Sequence, residues 1–143
     1  MYETLEKNLQ YFEMFKDSLS RYDYLIHIAL TKAGNEKFLL HNDEYLIHGC
    51  QSKLWVKCSF ENNRIKIECD SESLIILGFA TIIIEVCNNR TAEEIVAFDF
   101  DVFKKFETDN GLLSGKSRNG LLGMMNRIKM FADCIINSRN AKF

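Results

Sequence analysis

Leu54-Trp55-Val56-Lys57-Cys58-Ser59-Phe60-Glu61-Asn62-Asn63-Arg64-Ile65-Lys66-Ile67-Glu68-Cys69 is the stretch on which the fold turns. Leu54, Val56, Cys58 and Phe60 alternate with Trp55, Lys57 and Ser59. Successive side chains of an extended chain point to opposite sides, so this period predicts a strand with one apolar face. Glu61-Asn62-Asn63 carries a turn signal, and beyond it Ile65, Ile67 and Cys69 alternate with Arg64, Lys66 and Glu68. The two runs predict a hairpin with one apolar face.

On the C-terminal side, Leu74 to Cys87 is apolar nearly all round, as expected of a helix buried beneath a sheet, with Asp70 or Ser71 as its cap. Thr91-Ala92-Glu93-Glu94 fits a capping box and opens a short helix toward Ala97. Asp99 caps a further piece carrying Phe103 and Phe106. Asn110 to Gly120, with three glycines, reads as a loop before a last long helix with Leu121, Met125, Ile128, Ala132 and Ile135 on one face. On the N-terminal side, apolar residues at 2, 5, 9, 12 and 15, then at 22, 25, 26, 29 and 30, predict two helices. Ala33-Gly34-Asn35 ends the second, and the polar run through His41-Asn42-Asp43-Glu44 reads as a connection. The order is helices, strands, helices, which predicts an α+β fold with a small antiparallel sheet packed against helices. No linker or repeat divides residues 1–143, so one domain is expected.

Composition bounds the function. At 143 residues and 47% hydrophobic the chain can bury a core, which excludes a disordered segment or a disulfide-dependent miniprotein. A net charge of −2 gives no global electrostatic reason to expect nucleic acid or an anionic membrane as partner. The N-terminus lacks the apolar core and cleavage site of a signal peptide, and the longest apolar run, Leu74 to Ile84 and then Val86 and Cys87, is broken by Thr81 and Glu85. It falls short of the roughly 18 residues that a membrane span needs. A soluble, cytoplasmic chain is the expectation. Five cysteines without a Cys-x-x-Cys pair read as reduced thiols.

Those thiols are not equivalent. Cys58 and Cys69 fall on the apolar faces of the strands, Cys87 ends the apolar helix, and Cys134 flanks the stripe of the last one, so all four read as packing residues. Cys50 differs, because it follows Gly49, a residue free to take a left-handed conformation, just before the strand begins. Its position leaves two readings open, a reactive cysteine and an ordinary loop thiol. His48 could assist it, although neighbours in extended chain diverge, and a solvated loop histidine is the simpler reading. His27 and His41 read as structural or surface residues. A zinc site from Cys50, Cys58, Cys69 and His48 lacks the close ligand pairs of common zinc sites. No nucleophile elbow and no phosphate-binding glycine motif is present.

Gly49-Cys50-Gln51-Ser52-Lys53-Leu54-Trp55 resembles the signature Gly-Cys-Gln-Ser-x-Val/Leu-Trp of the SufE/CsdE sulfur-acceptor proteins. The likeness continues in order through Arg21-Tyr22, Leu25-Ile26, Asp70-Ser71-Glu72, Ile75, Ile76, Gly78 and Phe98-Asp99. Asn119-Gly120-Leu121, Met124 and Arg127-Ile128-Lys129 close the series, so the likeness covers residues 12–131. The resemblance implies a fold like that of the IscU-related scaffold proteins, without the scaffold's ligands. It also implies that Cys50 takes persulfide sulfur from a SufS/CsdA-like cysteine desulfurase, stimulates that enzyme, and passes sulfur to an iron–sulfur scaffold complex. This chain would then bind no cofactor, its cargo being a covalent persulfide on Cys50 and pyridoxal phosphate residing on the partner, without which it does not act. Gly49, Gln51 and Ser52, with His48, would shape the loop, and Asp70 would position the loop or the partner. The family's Ser-Pro-x-Arg-x-x-Gly reads here Ser114-Gly115-Lys116-Ser117-Arg118-Asn119-Gly120, with Ser117 at the arginine position and Lys116 and Arg118 beside it as candidates for docking. The family's proline-containing segment is also absent, since the chain has no proline. The alternatives are a non-catalytic regulator that binds the desulfurase and a metal or cluster scaffold of related fold. Monomer and homodimer are both compatible with this sequence.

Overall fold

Asn62 and Asn63 both take positive φ, 53° and 62°, which is the backbone that a two-residue hairpin turn requires and that asparagine tolerates better than most residues. The turn joins β1 (Leu54–Glu61) to β2 (Arg64–Ser71). The strands pair antiparallel in a register that runs from Leu54 opposite Ser71 to Glu61 opposite Arg64. The computed structural model describes residues 1–32, 37–49, 52–106 and 115–140.

Around this hairpin the described residues form α1 (Tyr2–Met14), α2 (Ser18–Lys32), α3 (Leu74–Cys87), α4 (Ala92–Ala97) and α5 (Gly115–Asn140). The connections carry tighter 3-10 turns at Lys37–Leu40, Asp43–Tyr45 and Phe100–Phe106. The fold is therefore α+β, with a two-stranded antiparallel sheet and helices around it. Leu54, Val56, Ile65, Ile67 and Cys69 bury one face of the hairpin in the same core as Ile76, Ala80, Ile83 and Val86 of α3. Leu5, Leu9 and Phe12 of α1, Leu25 and Ile28 of α2, and Met124 and Ile128 of α5 close over that helix. This is why α3 is apolar all round: it meets β2 on one side and α1, α2 and α5 on the others.

The capping box is present as read, with Thr91 Oγ1 accepting from the Glu94 amide and Glu94 accepting from the Thr91 amide. Asp99 also caps as read, accepting from the Asp101 amide at 3.0 Å. Three expectations are corrected. The cap of α3 is Ser73, whose hydroxyl accepts from the Ile76 amide, rather than Asp70 or Ser71, because the strand runs on through Ser71. Gly115 to Gly120 is the start of α5 rather than loop, and packing outweighs the poor helix propensity of its two glycines, Gly120 being buried. Cys134 is exposed, because it lies beside the buried stripe of α5 rather than on it. The stop expected at Ala33-Gly34-Asn35 lies outside the described residues.

No helix among the described residues is long and apolar enough to cross a membrane.

α2 and α3 approach each other closely at Gly78. A β-carbon added to Gly78 would stand 2.4 Å from the Leu25 carbonyl oxygen, which belongs to backbone and cannot swing away. Alanine in a helix gains about 1 kcal/mol over glycine, whereas overpacking costs about 1–3 kcal/mol. Gly78→Ala is expected to lower stability in urea unfolding, and a raised midpoint would show that the helices separate freely.

Candidate functional site

Leu46 bridges to Trp55, and the Ile47 amide donates to the Leu54 carbonyl at 2.8 Å. These contacts bring Leu46 and Ile47 to the outer edge of β1, so that the two ends of the intervening loop segment, Ile47 and Leu54, meet there. The loop carries His48, Gly49, Cys50, Gln51, Ser52 and Lys53 in sequence. Cys50 and Gln51 lie outside the described residues. Gly49 has φ +86°, the left-handed conformation expected of it, with His48 exposed beside it and Ser52 half-buried.

Both ends of this loop are fastened. At the far end, the Lys53 carbonyl accepts from the Ser71 hydroxyl at 2.8 Å and the Glu72 amide at 3.0 Å. At the near end, Ile47 is buried against Gly123 of α5, where an added β-carbon would stand 2.7 Å from its Cγ2. One turn along the same helix face, Arg127 Nη1 donates to the Tyr45 carbonyl at 2.7 Å and the Val56 carbonyl at 3.3 Å, while Nη2 donates to the Leu46 carbonyl at 3.1 Å.

The outer face of the hairpin differs from the expectation. Trp55, read there as one of the polar-face positions, is 6% exposed. The His41 ring lies stacked on it, 3.8 Å between centroids at 16°, and His41 Nε2 stands 2.6 Å from Asp70 Oδ2. Asp70 is the cross-strand partner of Trp55, so the carboxylate and the indole present one platform to the histidine. Asp70 thus holds the chain that enters the loop, a role that replaces the helix cap. His41 is no bland surface residue, but its partners are 14 and 29 positions away and leave no local signal. Arg127 was visible only as a member of the Arg127-Ile128-Lys129 match.

Of the remaining candidates, Arg118 is half-buried in the first turns of α5, and Lys116 belongs to the first turn. The other cysteines divide sharply. Burial pushes the Cys58 thiol up to about 11 against the pull of nearby Arg127, and pushes Cys87 up to about 12 despite Arg90. Cys69 is buried as well. Among the described residues no group of three or more His, Cys, Asp or Glu side chains could hold a metal ion.

A family model described as "SufE: Fe-S metabolism associated domain" matches residues 6–132. An uncharacterized SufE-like protein of Rhizobium etli is 31% identical over 133 residues, spanning 88% of this chain and 87% of that protein. The cysteine desulfuration protein SufE of Wigglesworthia glossinidia brevipalpis is 34% identical over 118 residues, 77% of this chain and 80% of that one. The solution structure of a hypothetical protein from Thermus thermophilus superposes with a TM-score of 0.67 at 16% identity, covering 94% of this chain and 96% of the other. A small hairpin closed by helices, with Gly-Cys-Gln-Ser in the sequence just before its first strand, is thus the frame of an iron–sulfur metabolism domain. The chain belongs to the SufE family.

The thiols give a direct test. At pH 8 a thiol of pKa about 11 is ionised to roughly one part in a thousand, and only the thiolate alkylates. Peptide mapping after iodoacetamide is expected to find Cys134 labelled quickly in the folded protein, and Cys58 and Cys87 labelled slowly. Raising the pH toward about 11 should speed Cys58. A Cys58 as fast as Cys134 at pH 8 would mean that the groove around it is open to reagent and ions.

Proposed function

We propose that Cys50 is a sulfur acceptor: its thiolate attacks the terminal sulfur of a persulfide on a cysteine desulfurase. The S–S bond of the donor breaks and a new one forms on Cys50, so a thiolate plus a donor persulfide becomes a Cys50 persulfide plus the donor thiolate. No oxidant and no metal is needed. Emptying the donor cysteine lets the desulfurase turn over again, which is how an acceptor stimulates it, and a second exchange hands the sulfur to an iron–sulfur scaffold complex. Pyridoxal phosphate belongs to the desulfurase in this scheme, and this chain brings only the thiol. Free thiols persist in a reducing compartment, in keeping with a cytoplasmic setting.

One observation carries this reading: the Gly-Cys-Gln-Ser signature lies between Leu46 and Lys53, which α5 and the hairpin fasten, in a chain of the SufE family. A family relative bears the name cysteine desulfuration protein, which supports the donor class.

Incubation with a cysteine desulfurase and L-cysteine is expected to add about 32 Da per transferred sulfur, read by intact mass and mapped to Cys50. Cys50→Ser should abolish both the mass gain and the stimulation of the desulfurase. Serine or alanine at Cys58, Cys69, Cys87 or Cys134 should alter stability more than transfer. Stimulation that survives Cys50→Ser undiminished would instead make the chain a regulator that carries no sulfur.

Docking is a separate question. With a net charge of −2 the protein has little overall field, so guidance comes from local charges, which act on association rate and salt dependence. Lys116→Glu with Arg118→Glu is expected to raise the desulfurase concentration needed for half-maximal transfer, with the rate restored at saturation. An unchanged titration would remove the basic start of α5 from the contact.

A further inference from the structure

We infer that Arg127 is a positioning residue for Cys50: its guanidinium ties together the two chain segments, Tyr45–Leu46 and Val56, between which Cys50 lies in the sequence. The inference rests on the sulfur-acceptor reading for its consequence in transfer, and on geometry alone for its consequence in Cys50 reactivity.

Three observations converge. First, the guanidinium donates to carbonyls on both sides of the loop, Tyr45 and Leu46 before it and Val56 after it. A planar fork with five fixed donors suits this crosslink, whereas an ammonium is a point charge and would satisfy fewer of the three acceptors. Second, among the described residues no carboxylate is paired with Arg127, so these carbonyls rather than an ion pair locate the group. Third, the same helix face supplies a second, independent contact. Gly123, four residues earlier and therefore one turn away, has no side chain and admits Ile47. One face of α5 thus governs the ends of the Cys50 segment by a polar and a steric contact. Sulfur exchange needs an attacking thiolate aligned with the donor S–S bond, and alignment is what anchored ends provide.

The variants are Arg127→Lys and Gly123→Ala, each read in two ways. In the first, iodoacetamide labelling of Cys50 is compared with that of buried Cys87 by peptide mapping. Loosened anchoring is expected to raise the Cys50 rate severalfold while Cys87 stays slow. A general loss of stability would raise both together, which would overturn a positioning role. In the second, persulfide formation is followed against desulfurase concentration. The maximal rate is expected to fall about tenfold for Arg127→Lys, with the half-saturating concentration unchanged. Wild-type labelling and a wild-type maximal rate in both variants would overturn the inference, and so would a loss confined to half-saturation. If the wild-type chain acquires no sulfur, the acceptor reading fails, and the labelling ratio still decides whether Arg127 positions Cys50.

Discussion

A two-stranded sheet has no interior strand, and each of its strands presents an unpaired edge of amides and carbonyls. Such a hairpin is marginal in water unless something packs on it and closes those edges. Here the closure is done by loops. On the β2 side the turn after α3 lies along the strand, with the Ile65 amide donating to the Arg90 carbonyl, the Asn89 amide to the Ile65 carbonyl and the Ile67 amide to Asn88 Oδ1. On the β1 side the same work falls to Leu46, Ile47 and Arg127. The rest of the architecture follows from this division: α3 must lie under the sheet to bury its face, and α5 must run beside β1 to bring Arg127 to its edge.

The consequence for function is that the edge cover of β1 is also the segment that bears Cys50. A sulfur carrier has two opposing needs, since a persulfide must be kept from reductants and yet must meet two partners in turn. The described ends of that segment, Ile47 and Lys53, are held by contacts to the Leu54 carbonyl, the Ser71 hydroxyl, the Glu72 amide and Gly123, all of them made outside it.

How far the sequence reveals this depends on the range of each interaction. The hairpin, its turn and α3 were legible because each is written in a local period: alternation along each strand, two adjacent asparagines, a run of apolar residues too long for a strand. The Thr91 and Asp99 caps were legible for the same reason. Trp55 was placed on the outer face correctly, but alternation reports which face a residue points to and says nothing about what covers that face. Its cover, His41, is fixed by a stacking contact and by Asp70 across the strand pair, and neither leaves a trace near position 41. Arg127 poses the same difficulty, as its acceptors are about 70 to 80 positions upstream and are backbone atoms, which no side-chain pattern records. Cys50 was singled out only through the resemblance of its neighbours to a known signature, since position alone left a loop thiol and a reactive one undecided.

If Cys50 is the acceptor proposed above, five cysteines in one chain raise the question of what directs sulfur to one of them. For Cys58 and Cys87 the answer is burial: a thiol in an apolar setting keeps its proton, and the protonated form neither attacks a persulfide nor accepts its sulfur. Cys69 is covered by the same core. Cys134 is exposed and needs a different explanation. It lies on α5 seven residues beyond Arg127, two helical turns and so about 10 Å further along the axis than the group that holds the ends of the loop. A donor cysteine must bring its terminal sulfur within bonding reach of the thiolate it serves, so under the acceptor reading proposed above it is the docking of the partner, and not burial, that has to tell Cys134 apart. Under that reading selectivity among the described thiols draws on two separate devices, ionisation for the buried ones and docking for the exposed one, and only the second depends on the partner.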